Sequence, residues 1–355
     1  MPSEILCDIF YLTLLSAELS YGSFETSESP WVLTHVCRHW RNIAISFPSL
    51  WNTIILRRVR CPLNMLQAQI KRAGNVLLEV RTSYLLEDVV GALAACSPRW
   101  GIVHCLPSLL SAISGRVPML RELHLQGNVG SHEDQNLEDA PALREVSLRG
   151  FSVGFSPSLL PWAQLTHYRC EYGTWEVHIP ALDLMRNLVQ CQLCVVGLRY
   201  AHPHPIELPL LRDFKLDTVV AIPDCLVLPS LEDLFIIRQL DGLISMVRRS
   251  QCRLKKITLP VHLTTDSIVA LFQESPTAVD ITMTIRGDQM LIMDNLNRLF
   301  DKLSIISSST ECLLPDLERV TIVTSTPLLG FQGCPTSAIG LCPGESLPEG
   351  DSPRR

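Results

Sequence analysis

The sequence predicts an α/β chain: a small N-terminal module of helices, followed by a solenoid of stacked repeats whose strands form one parallel β-sheet. Three observations predict this. The signature Leu-x-x-Leu-x-Leu recurs roughly every 23 residues from Leu120 onward, as a strand repeated once per coil would. Ahead of it, Leu33, Val36, Cys37, Trp40, Ile43 and Ala44 fall at i, i+3, i+4, i+7, i+10 and i+11, one continuous apolar stripe on a helix. Hydrophobic residues make up 47% of the 355 and charged residues 19%, enough to bury a sizeable core. The expected division is a helical module over 1–56, a linker helix over 57–73, a repeat array over 74–324 and a disordered tail over 325–355.

The net charge is −6 and the pI about 5.9. No basic stripe of the kind a nucleic-acid binder carries is present, so no nucleic acid is expected as a partner. The 13 cysteines are odd in number and scattered, and Cys37, Cys105 and Cys191 sit inside apolar patterns. They read as buried free thiols of a reducing compartment, cytoplasmic or nuclear, and not as a disulfide framework. The apolar run from Ile9 to Leu15 is preceded by Glu4 and Asp8 and by no Lys or Arg, unlike a signal peptide. No run reaches the roughly 20 residues of a membrane span, so no membrane contact is expected.

In chain order the module comes first. Arg38, His39, Arg41 and Asn42 lie off the apolar stripe, and Phe47-Pro48 ends the helix because a residue before proline is pushed out of helical geometry. Trp31, Trp40 and Trp51 supply the large side chains that the core of so small a unit needs. Pro2-Ser-Glu4-Ile5-Leu6 and Ile9-Phe10, then Val36-Cys37-Arg38-x-Trp40-Arg41-x-Ile43-Ala44, then Phe47-Pro48-x-Leu50-Trp51 together resemble the F-box. The ending is similar to that of the large F-box families of mushroom-forming fungi. The resemblance implies a three-helix module that docks onto the Skp adaptor of a cullin ubiquitin ligase, with Pro2, Ile5, Leu6, Val36, Cys37 and Trp40 as adaptor-binding residues. Met1 stands where the family has Leu, and residues 16–30, rich in Ser and Glu, read as an expanded loop. A second reading therefore stays open, a repeat scaffold with a degenerate F-box.

Next, Leu63, Leu66, Ala68 and Ile70 suggest the connecting helix. A strand over Val76–Val80, a helix over Glu87–Cys96 and a strand over Trp100–Cys105 follow. The repeat then takes over. Its anchors Leu120, Leu143, Leu165, Leu188, Leu211, Leu231, Leu254 and Ala278 are 23, 22, 23, 23, 20, 23 and 24 residues apart, and Leu317 follows after 39. This period lies inside the leucine-rich-repeat range of about 20–29 residues, and it is short for the βα unit of a doubly wound domain, the other fold considered. Leu240–Arg249 and Asp266–Glu274 are expected return helices, the second capped by Thr265 or Asp266. Asp294–Ile306 is an amphipathic helix in the long gap. Residues 327–355, dominated by Pro, Gly and Ser, cannot bury enough surface to order.

The chemistry-bearing residues have bland explanations. Cys191-Gln-Leu-Cys194 could reach a four-ligand zinc set with Cys170, His202 and His204, but the repeat makes Cys191 an inward ladder residue. His202-Pro-His204-Pro reads as an exposed loop, and His132-Glu133-Asp134 as a solvated one. No phosphate-binding, dinucleotide, nucleophile-elbow or metalloprotease motif occurs. No catalytic residue, cofactor or metal is expected. By the resemblance, the chain would be a non-catalytic substrate-recognition subunit of a Skp–cullin–F-box ligase, holding an unidentified protein substrate near the conjugating enzyme.

The frame also sets two rows of side chains on the open sheet face. One runs Glu122, Glu145, His167, Gln190, Asp213, Asp233, Lys256, Asp280 and Arg319; the next runs His124, Ser147, Arg169, Gln192, Lys215, Phe235, Thr258, Thr282 and Thr321. Leu123, Leu125, Val146 and Leu148 should point the other way, into the core. Most of the rows are polar, as a solvated face should be. Phe235 is the exception, and with Lys215, Asp233 and Lys256 it is the expected substrate-binding anchor.

Overall fold

The computed structural model describes residues 2–17, 24, 26–56, 61–83, 87–111, 113, 117–127, 137, 139–150, 160–197, 200–238, 242–261, 263–285, 296–301 and 313–324. The expected tail, the loop at 132–134 and residues 18–23 and 25 of the 16–30 expansion lie outside the described residues. Among the described residues, twelve strands form a single parallel sheet in chain order. They are β1 (Thr53–Leu56), β2 (Leu78–Thr82), β3 (Trp100–Cys105), β4 (Glu122–Gln126), β5 (Glu145–Arg149), β6 (His167–Gly173), β7 (Gln190–Val195), β9 (Asp213–Thr218), β11 (Asp233–Ile236), β12 (Lys256–Pro260), β13 (Asp280–Ile285) and β14 (Arg319–Thr324). Two short strands, β8 (Ile206–Glu207) and β10 (Leu226–Val227), pair with each other in a separate parallel ribbon.

Period-two alternation gives the sheet its two faces. Leu123, Val146, Tyr168, Cys191, Phe214, Leu234, Ile257 and Ile281 stack strand upon strand inside, and Leu125, Leu148, Cys170, Leu193, Leu216, Ile236, Leu259 and Met283 form the next tier. The repeat anchors from Leu120 to Ala278 are buried with them. A buried Leu or Ile contributes about 1.5–3 kcal/mol, and only the neighbouring coil can bury it, so the array folds as a unit. Polar side chains tie coil to coil. Gln164 Nε2 donates to the carbonyls of Ala140 (2.6 Å) and Leu143 (3.0 Å), Asn187 Nδ2 to Ala163 (2.7 Å) and Thr277 Oγ1 to Leu254 (2.9 Å). Each satisfies a carbonyl on the coil before its own.

The return segments include α5 (Glu87–Cys96), α7 (Trp175–Leu184), α8 (Leu243–Ser250) and α9 (Thr265–Gln273). The cap of α9 is Thr264, one residue before the expected position, with its Oγ1 accepting from the Ser267 amide at 3.4 Å. Of the expected 294–306 helix, residues 296–301 are described, and they are helical. The sheet starts upstream of the recognisable repeats. β1 pairs with β2, and α4 (Leu63–Arg72) lies over them with Leu66 and Gln69 buried. Gln69 Nε2 donates to the Thr53 carbonyl at 2.7 Å, so this segment is the return helix of a coil.

The module consists of α1 (Ser3–Ala17), α2 (Leu33–Val36), α3 (Arg38–Ser46) and a 3-10 turn over Pro48–Leu50. The expected single helix from Leu33 to Ala44 is corrected here. Cys37 is extended, at φ −158° and ψ 171°, and splits the stripe into two helices. The first amides of α3 need an acceptor, and the extended Cys37 supplies one: its Sγ accepts from the Trp40 amide at 3.4 Å. Leu33, Ile43 and Ala44 stay inside as the stripe requires, but Val36 and Cys37 turn to solvent.

The module and the solenoid share one continuous apolar core. At their junction Trp51 donates its indole N–H to the Ala44 carbonyl at 2.7 Å, and Trp31 meets it edge-on with ring centroids 5.0 Å apart. The Arg72 guanidinium of α4 lies over both rings, 4.8 Å from Trp31 and 4.4 Å from Trp51. Burial lowers its pKa from the usual value, yet the two ring faces give the cation an attractive seat.

Candidate protein-interaction surfaces

The module presents an apolar stripe. On α1, Leu6 and Phe10 turn inward, one helical turn apart, while Ile5, Ile9 and Leu12 stand 48%, 39% and 62% exposed at i, i+4 and i+7. Val36, at the end of α2, is 55% exposed. Of the six residues singled out in the sequence, Pro2, Ile5, Val36 and Cys37 are exposed and Leu6 is in the core. Trp40 is half-buried, its ring tilted against Phe10 at 5.0 Å. Ile9 and Leu12 extend the stripe, and the four- and seven-residue steps from Ile5 were the signal for them. Exposed apolar side chains in contiguous register are the mark of a surface that meets a partner.

The second surface is the open sheet face. Both sequence rows are in register: Glu122 pairs with Glu145, Glu145 with His167, and the series runs on through Asp213, Asp233, Lys256 and Asp280 to Arg319. It also extends back through Ile102 and Glu79 to Thr53. Ion pairs link the side chains of the face. They join Glu79 to Arg81, Glu171 to Arg149 (3.1 Å) and Arg169 (2.6 Å), Asp213 to Lys215 (3.5 Å), Asp217 to Arg238 (2.7 Å), Asp233 to Lys256 (3.7 Å) and Asp280 to Arg319 (3.1 Å). The pairs with both members partly exposed add little stability, on the order of 0–1 kcal/mol each, whereas the buried carboxylates of Glu171 and Asp217 need their arginines as counter-charges; together they set a near-neutral, hydrogen-bonding floor.

Phe235 lies within this floor, with Lys215 and Thr258 beside it in register and the Asp233–Lys256 pair two residues away. The structure thus brings Phe235, Lys215, Asp233 and Lys256 together. Phe235 is half-buried, and it packs with Tyr172 against the buried Cys194 and Ile237. Tyr172 escaped the sequence reading for a structural reason. Strict alternation would turn it inward, but β6 bulges between Cys170 and Gly173, and Tyr172 takes a left-handed φ of 65°. The bulge delivers a second aromatic to the outer face. Asp233 has its pKa raised, chiefly by burial, with Lys256 acting in the opposite direction.

Toward the module end, a cavity of about 540 Å³ opens on the face, with Arg81, His104, His124, Arg149, Arg169 and Glu171 in its lining. The rings of His104 and His124 stack at 4.0 Å and 7°. Burial, followed for His104 by Arg81 and for His124 by His104 and Arg169, holds both pKa values down at about 4, so both rings are neutral at pH 7. Next to them, donor atoms of Glu122, His124 and Glu145 lie within 4.8 Å of one another, the metal-ligating trio found among the described residues. Cys191 and Cys194 are three apart on a strand and so face opposite sides of the sheet, which prevents them from chelating one ion. His202 and His204 hydrogen-bond to each other in an exposed turn, with Nδ1 of His202 at 2.8 Å from the His204 carbonyl.

No family model matches this chain, and no curated protein matches it. Among solved structures, an internalin from Listeria monocytogenes is similar at 9% identity, over 79% of this chain and 90% of that one, with a TM-score of 0.31. At that distance the chain's own strand order, period and burial identify it as a leucine-rich-repeat solenoid, a fold that serves binding between proteins.

Proposed function

We propose that this leucine-rich-repeat chain is the substrate-recognition subunit of a Skp–cullin–F-box ubiquitin ligase. The module binds the Skp adaptor, and through it the cullin, and the open sheet face binds the protein to be modified. The chain does no chemistry of its own; it holds substrate near a charged conjugating enzyme and so raises the effective concentration of the reacting groups. The observation that carries this reading is the stripe of Ile5, Ile9 and Leu12 with the exposed Val36, on the segment whose residues resemble the F-box. Burying four such side chains would contribute several kcal/mol, at about 25 cal/mol per Å². Buried thiols such as Cys105, Cys170 and Cys191 suit a reducing compartment, cytoplasmic or nuclear.

The test is co-expression with a Skp adaptor. Wild type should co-purify as a stoichiometric complex, and Ile5→Asp combined with Ile9→Asp should lose the adaptor with at most a small drop in melting temperature, because both side chains are already partly exposed. Loss of binding together with unfolding would be uninformative, so Val36→Asp serves as a second variant on a different helix. A wild-type chain that ignores the adaptor while its sheet face still captures a protein would favour the other reading, a scaffold with a degenerate F-box.

A further inference from the structure

We propose that Glu122, His124 and Glu145 form a binding site for a divalent transition-metal ion of the zinc class on the open sheet face. β4 places Glu122 and His124 two residues apart, so both project from the same face, and the register sets Glu145 directly beside Glu122. Their three donor atoms already lie within 4.8 Å of one another. The imidazole nitrogen turned toward Glu122 is His124 Nε2, 3.8 Å from Oε2, too far to be a hydrogen bond. An ion 2.0–2.2 Å from each donor wants them roughly 3.4 Å apart, which rotation about the glutamate side-chain bonds supplies.

The charge pattern points the same way. Each other carboxylate named on this face has its own Lys or Arg, whereas Glu122 and Glu145 have neither within ion-pair distance among the described residues. Like charges directly opposite across a strand pair destabilise it. A cation between the two carboxylates removes that repulsion.

The imidazole decides which cation. A neutral ring offers a lone pair that a lysine ammonium does not need and that calcium or magnesium, which prefer oxygen, use poorly. The stacked His104 fixes the plane of the ring and acts as a positioning residue. Two carboxylates and one imidazole form a three-ligand set that leaves the fourth position of a tetrahedral ion for water or a partner's side chain.

The test uses the full chain, stripped with chelator and titrated with zinc chloride by calorimetry and with cobalt chloride by absorption. Wild type should bind one zinc ion with a micromolar Kd, and its cobalt complex should show no thiolate charge-transfer band. Glu122→Gln combined with Glu145→Gln, and separately His124→Gln, should weaken zinc binding at least 30-fold with the melting temperature kept or raised. Asp280→Asn, a carboxylate of the same row six strands beyond Glu145, should change it less than 3-fold. Zinc binding that survives the trio variants would place the ion elsewhere on the chain and overturn the proposal. So would calcium or magnesium binding as tight as zinc, which would mean diffuse attraction to acidic groups, or no binding below millimolar zinc.

Discussion

His178 couples the core to pH. It lies fully buried on α7, with Nδ1 3.2 Å from the Tyr168 hydroxyl and the Trp175 ring edge-on beside it. Burial drives its pKa down to about 3. The unfolded chain therefore takes up this proton first as pH falls, so the neutral ring's contribution is complete above about 6.5 and is lost between there and pH 3. The slope approaches about 1.4 kcal/mol per pH unit for one such group. Melting temperature should fall on acidification from pH 7 to 5, and His178→Gln, which cannot titrate, should flatten the decline; equal slopes would mean that other groups dominate. Gly173 belongs to the same contact, because a Cβ there would collide with the His178 imidazole. Gly173→Ala should cost about 1–3 kcal/mol, read as a drop of several degrees. Neither residue was legible in the sequence. A histidine and a glycine acquire these roles only when β6 bulges and α7 closes over the bulge.

At the scale of elements, periodicity was a reliable guide and local exceptions were not. Strand β3 and helix α5 occupy the expected residues, and the inward tiers follow the Leu-x-x-Leu-x-Leu frame, because a side chain's face on a strand depends only on parity. The break at Cys37 and the bulge at Tyr172 depend on a cap and a left-handed residue, which periodicity does not encode. The half-buried setting of Trp40 changes one magnitude. Trp40→Ala should cost about 2 kcal/mol instead of the 3–5 of a fully buried ring, since part of its surface faces water already. The junction is the more sensitive place. Arg72→Ala removes a cation stacked on two tryptophans and should lower stability by about 1–2 kcal/mol with a red shift in tryptophan emission. Unchanged emission would show that the rings hold the module on the solenoid unaided.

At the scale of the molecule, the chain carries two surfaces built on different principles. The module offers an apolar stripe whose partner must bury it. The solenoid offers a long polar floor with an aromatic pair, Phe235 and Tyr172, set among ion pairs. Both rows of that floor were readable from the repeat frame alone, since a parallel in-register sheet carries each position to the next coil. The unneutralised Glu122–Glu145 pair was hidden in the same rows, because which carboxylates find a cation depends on side-chain geometry. Phe235→Ala should abolish capture of a partner by the sheet face while leaving the melting temperature within a degree or two; a fall of several degrees with capture intact would make Phe235 a packing residue. The division of labour between the surfaces is tested most directly by hydrogen–deuterium exchange of the full chain with and without a Skp adaptor. The account expects protection over residues 2–12 and 33–46, with the strands from β4 to β13 unchanged. Protection on the strands instead, or none at all at saturating adaptor, would contradict it.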